Sequence, residues 1–83
     1  LTIPFAVKFD IMFEIVKAKF FQNKDLAERL IATGDAYLEE TNTWHDTVWG
    51  VCNGIGTNWL GQILSLVRLD LIHKKFIEET IDG

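Results

Sequence analysis

Residues 58–79 read NWLGQILSLVRLDLIHKKFIEE, and this stretch decides the fold. It holds no proline, Asn58 stands where a helix cap belongs, and Leu60, Ile63, Leu64, Val67, Leu71 and Phe76 recur as one helical stripe. Leu66, Leu69, Ile72 and Ile77 broaden the stripe beyond the width of one neighbour. The pattern predicts a helix from Trp59 to about Glu79 that is either central or meets a further partner on its second face. Lys74 and Lys75 are expected late in that helix, where cations oppose the dipole favourably.

Two more helices precede it. Phe9, Met12, Phe13, Val16 and Phe20 line one face of a helix over about 8–20, with Pro4 ahead of it and Ile11 and Ile15 widening its apolar surface. Residues 24–33 form a second, capped by Asn23 and closed by Gly34 in a left-handed conformation. There Leu26, Ala27, Leu30 and Ile31 face inward, and Asp25 and Arg29 are spaced to pair. Residues 36–40 read as a short strand or a further half-turn of helix, and 41–47 as polar loop. The fold class is α+β, predominantly helical, with three main helices and a glycine- and tryptophan-rich loop.

Composition narrows the function. Eighty-three residues allow one small domain, and 48% hydrophobic with 24% charged residues is a globular balance. Eight Lys plus Arg against twelve Asp plus Glu give a net charge of -4, which argues against a non-specific grip on nucleic acid. The apolar runs are too short for a membrane span, so no membrane partner is expected. Cys52 is the single cysteine and can form no internal disulfide, so a reducing, cytoplasmic compartment is expected. His45, Cys52 and His73 are too few for a metal site, and no cofactor is implied. The chain starts at Leu1 without Met and without a secretory signal, and is expected to be an internal or processed piece. Residues 1–83 are then one domain or the C-terminal portion of one. A chain this short buries only about 60–65% of its unfolded surface, so a piece would keep apolar surface for something else.

The chemistry concentrates between Trp44 and Gly61. All three tryptophans (Trp44, Trp49, Trp59) and four of the six glycines fall there, and no charged residue stands between Asp46 and Arg68. Glycine-rich backbone entering a helix at Asn58 offers N–H groups to a phosphate, or is simply a turn. The tryptophans are core anchors or stacking walls, and Asp46 caps a local turn or serves as a reactive carboxylate. Arg68, set in an apolar helix, would pair internally with Asp46, Asp70 or Glu40. Together, an isolated carboxylate between aromatic walls suits a developing cation beside a flat ring, as in cleavage of a bond to an anomeric carbon.

Four ordered motifs extend this reading. Lys19-Phe20 with Gln22-Asn23, Leu30 with Thr33-Gly34, Asp46 with Trp49-Gly50, and Gly56, Asn58, Leu60-Gly61, Leu64 and Arg68 spell KFxQN, LxxTG, DxxWG and GxNxLGxxLxxxR. With Met12, Leu26, Leu38 and Glu40, they resemble the NADAR, or YbiA-like, domain family over about Met12 to Leu71. The resemblance implies a small α+β domain of NAD, ADP-ribose and riboflavin-pathway chemistry. Characterised members are N-glycosidases acting on phosphorylated ribosylamine intermediates of riboflavin synthesis or on ADP-ribosylated guanine. It implies Asp46 as the carboxylate near the scissile bond and Trp49 as the stacking wall. Gly50, Gly56 and Asn58 shape the substrate loop, Lys19 reaches a phosphate or is a solvated lysine at a helix end, Arg68 anchors Asp46 or contacts substrate, with the anchor favoured, and Glu40 stands behind the site. The family's N-terminal half carries a sheet segment and a glutamate-bearing helix with no counterpart upstream of Lys8. The chain therefore looks like the C-terminal half, and Ser65, where many relatives carry Met, affects packing only.

Three functions follow. The first is a hydrolase of N-ribosyl bonds, complete only with a missing N-terminal segment or a second chain. The second is a non-catalytic module binding ADP-ribose-like nucleotides. The third is an interaction half-domain docking through surplus apolar faces.

Overall fold

In the computed structural model, which describes residues 2–82, the chain runs α1 (Phe5–Phe21), α2 (Lys24–Ala32), β1 (Thr41–Asn42), β2 (Val51–Cys52) and α3 (Trp59–Asp82). α1 begins three residues before the start that its apolar stripe predicts. Pro4 occupies the N-cap, where no N–H is needed, and its carbonyl accepts from Val7 N at 3.1 Å and Lys8 N at 3.2 Å. α2 starts on the expected cap, with Asn23 Oδ1 accepting from Leu26 N at 3.2 Å. Gly34 closes it at φ 63, a conformation that suits glycine.

The three helices meet around Val16, Leu30, Ile63, Val67 and Leu71. Ile63 and Val67 are fully buried, and each contributes about 1.5–3 kcal/mol by leaving water. Phe9, Met12, Phe13 and Phe20 from α1 and Ala27 and Ile31 from α2 pack against this centre, as their spacing predicts. α3 is longer than its stripe suggests, so Lys74 and Lys75 lie short of its last turn rather than within it. Lys74 instead sits 5.2 Å from the Phe21 ring centroid and 3.8 Å from Glu78. Asp25 and Arg29 form no ion pair, and Asp70 pairs with Lys17 at 3.4 Å. No described helix is long and apolar enough to cross a membrane.

Residues 36–40 are neither strand nor helix. They cross α3 as an extended strap held by its side chains. Asn58, only 3% exposed, accepts from Glu40 N at 3.0 Å and donates to the Leu38 carbonyl at 2.8 Å and to Tyr37 Oη at 3.2 Å. Its side chain is therefore spent on the strap instead of capping α3. Three residues on, Gly61 leaves room for the strap. One helical face further, Arg68 Nη1 donates to Thr33 Oγ1 at 2.9 Å and the Ala36 carbonyl at 3.0 Å. The strap leads into β1, which pairs parallel to β2 with Thr41 opposite Val51 and Asn42 opposite Cys52. Past β2, Asn53 (φ 53) and Gly54 (φ 76) make a left-handed two-residue turn, closed by paired bonds between Cys52 and Ile55 at 2.9 and 3.0 Å.

The strap makes Gly61 intolerant of a side chain, because a Cβ there would lie 2.2 Å from the Leu38 carbonyl oxygen. Gly61→Ala is expected to cost about 3 kcal/mol in urea unfolding. Gly34→Ala, strained at φ 63 but with open space around it, costs about 1 kcal/mol. Equal losses would show that the strap yields freely.

Candidate active site

Asp46 lies in the crossover between β1 and β2, and its position is fixed twice. Asn42, buried on β1, grips its backbone: Oδ1 accepts from Asp46 N at 3.0 Å and Nδ2 donates to Asp46 O at 2.9 Å. The carboxylate then folds over the following turn, with Oδ1 accepting from Val48 N at 3.0 Å and Trp49 N at 2.8 Å. Oδ2 has no hydrogen-bond partner among the described residues. Asp46 thus caps a local turn with one oxygen, the first of the two readings its sequence context allowed.

Trp49 is half-buried, with its ring centroid 5.6 Å from Phe5. Trp59 packs beside it, 5.5 Å from Phe5 and edge-on to Phe9 at 5.8 Å. These two tryptophans tie the loop to the start of α1, while Trp44 is 66% exposed. Gly50 and Gly56 serve close backbone approach. A Cβ on Gly50 would lie 2.3 Å from the Glu40 carbonyl oxygen, and one on Gly56 would lie 2.1 Å from that of Gly50.

The N–H groups read from sequence as open to a phosphate are largely committed. Thr57 N donates to Thr47 O at 2.9 Å, Trp59 N to Val48 O at 3.2 Å and Leu60 N to Trp49 O at 2.9 Å. The first donors of α3 therefore stitch the loop to the helix instead of facing outward. Lys19, on the exposed last turn of α1, is not brought to the loop. It stands about 21 Å along the helix axis from Phe5, which packs on Trp49. Glu40 is half-buried beside Gly50, with its backbone bonded to Asn58 and Val51. Arg68, 8% exposed, makes none of the ion pairs expected of it and does not anchor Asp46. Its guanidinium holds the end of α2 against the strap, 32 and 35 residues away in sequence.

His45 adopts φ 65, and its Nδ1 lies 4.0 Å from the buried Cys52 thiol. Among the described residues no three His, Cys, Asp or Glu side chains are placed to share a metal ion. An open groove of about 970 Å³ runs between α2 and the far half of α3, and a cavity of about 280 Å³ lies beside Phe9, Tyr37 and Leu66. Asp46 lines neither. The residue that sequence reasoning missed is Asn42, which sits in polar loop sequence. Its only local signal is the four-residue spacing to Asp46.

Comparison with known proteins gives a consistent set of relatives. A family model described as the NADAR domain matches residues 5–72. The chain is 44% identical over 66 residues to a riboflavin biosynthesis protein of Vibrio vulnificus, covering 78% of this chain and 18% of that protein. It is 42% identical over 66 residues to an N-glycosidase of Nostoc punctiforme, covering 78% of this chain and 42% of the relative. It is 39% identical over 71 residues to the N-glycosidase YbiA of Shigella boydii, covering 84% of this chain and 44% of the relative. The chain thus spans less than half the length of each of these relatives. No solved structure matches it.

Asn42→Ala removes both bonds to the Asp46 backbone and is expected to cost about 2 kcal/mol, read as a lower urea midpoint at unchanged slope. A midpoint shift within error would show that the Asp46 turn holds itself.

Proposed function

The chain belongs to the NADAR domain family, and from that premise we propose that it carries part of the active site of an N-glycosidase. The reaction is hydrolysis of the bond between a ribose anomeric carbon and nitrogen. That bond breaks, the hydroxyl of a water molecule joins the carbon, and the departing nitrogen gains a proton. Positive charge grows on the ribosyl ring as the nitrogen leaves, and a fixed carboxylate beside it lowers the barrier. Asp46 is that carboxylate and Trp49 is the wall against which the flat leaving group stacks. Asn42, Gly50, Gly56 and Asn58 build the loop without reaching the substrate. The proton donor comes from polypeptide outside these 83 residues, where the resemblance implies a glutamate.

The observation that carries this reading is the division of labour within Asp46. Two backbone donors orient Oδ1, and Oδ2 has no hydrogen-bond partner among the described residues. The substrate class is a nitrogen-linked phosphoribosyl compound. The names of the Vibrio vulnificus relative and of a chloroplastic maize riboflavin biosynthesis protein, 32% identical over 68 residues, support a riboflavin-pathway ribosylamine over an ADP-ribosylated base. One observation favours a second reading, a nucleotide-binding module without turnover: Asp46 lines neither the groove between α2 and α3 nor the cavity beside Phe9.

Asp46→Asn separates them. Asparagine keeps an Oδ1 acceptor for Val48 and Trp49, so the fold survives while the charge is removed. In the protein that carries this chain together with the rest of its domain, base release from a phosphorylated ribosylamine is expected to fall about 10²–10³-fold. The melting temperature stays within about 3 °C. Unchanged turnover removes Asp46 from the chemistry. Nucleotide binding with no base released by the wild-type protein replaces hydrolysis with the binding reading.

A further inference from the structure

α1 is apolar on both sides. Phe9, Met12, Phe13, Val16 and Phe20 face the core, yet Val7, Ile11 and Ile15 form an i, i+4 ridge on the opposite side, continued before the helix by Ile3. Ile11 is 50% and Ile15 60% exposed. A helix that carries apolar ridges on two opposite faces, with its charged residues between them, suits a place between two layers. The dimensions of the molecule agree. Its accessible surface is 6086 Å² where a folded monomer of 9.5 kDa exposes about 5,000 Å². Its radius of gyration is 14.6 Å where a compact domain of this length has about 12 Å. Its extents are 47 × 31 × 17 Å, an elongated slab. The excess of about 1,000 Å² is close to one partner's share of a standard-size interface.

We propose that the Val7–Ile11–Ile15 face of α1 is the docking surface for a second polypeptide layer. Its occupant is the polypeptide that corresponds to the part of the N-glycosidase relatives outside the matched residues. Each of those relatives has about ninety residues beyond the match, enough to cover the slab and too many to be a tail. The surface is continuous with the Asp46 loop through Phe5, which opens α1 and packs on both Trp49 and Trp59. A layer on α1 therefore ends at the loop and can bring the missing proton donor there. This inference rests on the N-glycosidase reading for what the layer supplies, but not for where it docks.

The test uses a chimera in which this chain replaces the matched 66 residues of the Nostoc punctiforme N-glycosidase. Ile11→Glu with Ile15→Glu is placed in the chimera and in the 83-residue chain alone. In the isolated chain, both side chains face water, so helical circular dichroism is expected to be unchanged. In the chimera, the same pair is expected to abolish the cooperative thermal transition or lower its midpoint by at least 10 °C. Ile81→Glu, on the exposed end of α3, leaves the midpoint unchanged. A chimera that tolerates the pair overturns the docking surface. Sedimentation showing the isolated wild-type chain as a stable dimer that the pair dissociates assigns the face to a second copy and also overturns it. A chimera that folds, responds to the pair and releases no base leaves the docking surface standing and sinks the hydrolase reading alone.

Discussion

The structure depends on one buried amide. Asn58 carries three hydrogen bonds from a single side chain to the segment between α2 and β1, and it is almost fully withdrawn from water. A buried amide must satisfy its donors and its acceptor at once, so its geometry is tightly determined. Remove it and residues 37–40 lose their side-chain bonds to the start of α3, leaving Arg68 to hold Ala36. The strap's link to the sheet then rests on the β1–β2 pairing and the bond from Val51 N to the Glu40 carbonyl. Gly61 and Arg68 complete the same seam, one by leaving space and the other by bridging to Thr33 and Ala36.

Arg68 shows how a charged residue can be buried for a structural end. Its partners are a hydroxyl and a carbonyl rather than a carboxylate. A guanidinium presents several donors in a fixed plane, so one side chain can hold two neutral acceptors on different segments. The cost of withdrawing the charge is offset by those bonds and by the exposure its outer nitrogens retain, since no buried polar atom is left without a partner among the described residues.

What the sequence made legible follows from the range of the interactions involved. The helices, the Asn23 cap and the Gly34 terminus are set by contacts within a turn or two, and periodicity reports such contacts directly. Asn53-Gly54 carried an equally local hairpin signal, and the left-handed turn it makes could have been read from the dipeptide alone. The strap could not. Asn58 meets Glu40 across 18 residues and Arg68 meets Thr33 across 35, and no local pattern distinguishes those side chains from a helix cap or an ion-pair partner. In the candidate site, the motifs marked Asp46 and Trp49, but not the division of the carboxylate's two oxygens or the grip of Asn42. Of the two readings of the glycine-rich entry to α3, an anion site or a turn, the contacts favour the turn: the glycines serve backbone contact, and the loop's own carbonyls take the first donors of α3.

The stitching of the Asp46 loop has a consequence for the order of assembly. Its bonds join residues close in sequence: Asn42 to Asp46, Thr47 to Thr57, Val48 to Trp59 and Trp49 to Leu60. Short closures cost little chain entropy and form as a local unit. The carboxylate is thus oriented by its own neighbourhood, ahead of any covering layer. A partner arriving on α1 would meet a pre-set anion and spend none of its binding energy on ordering it.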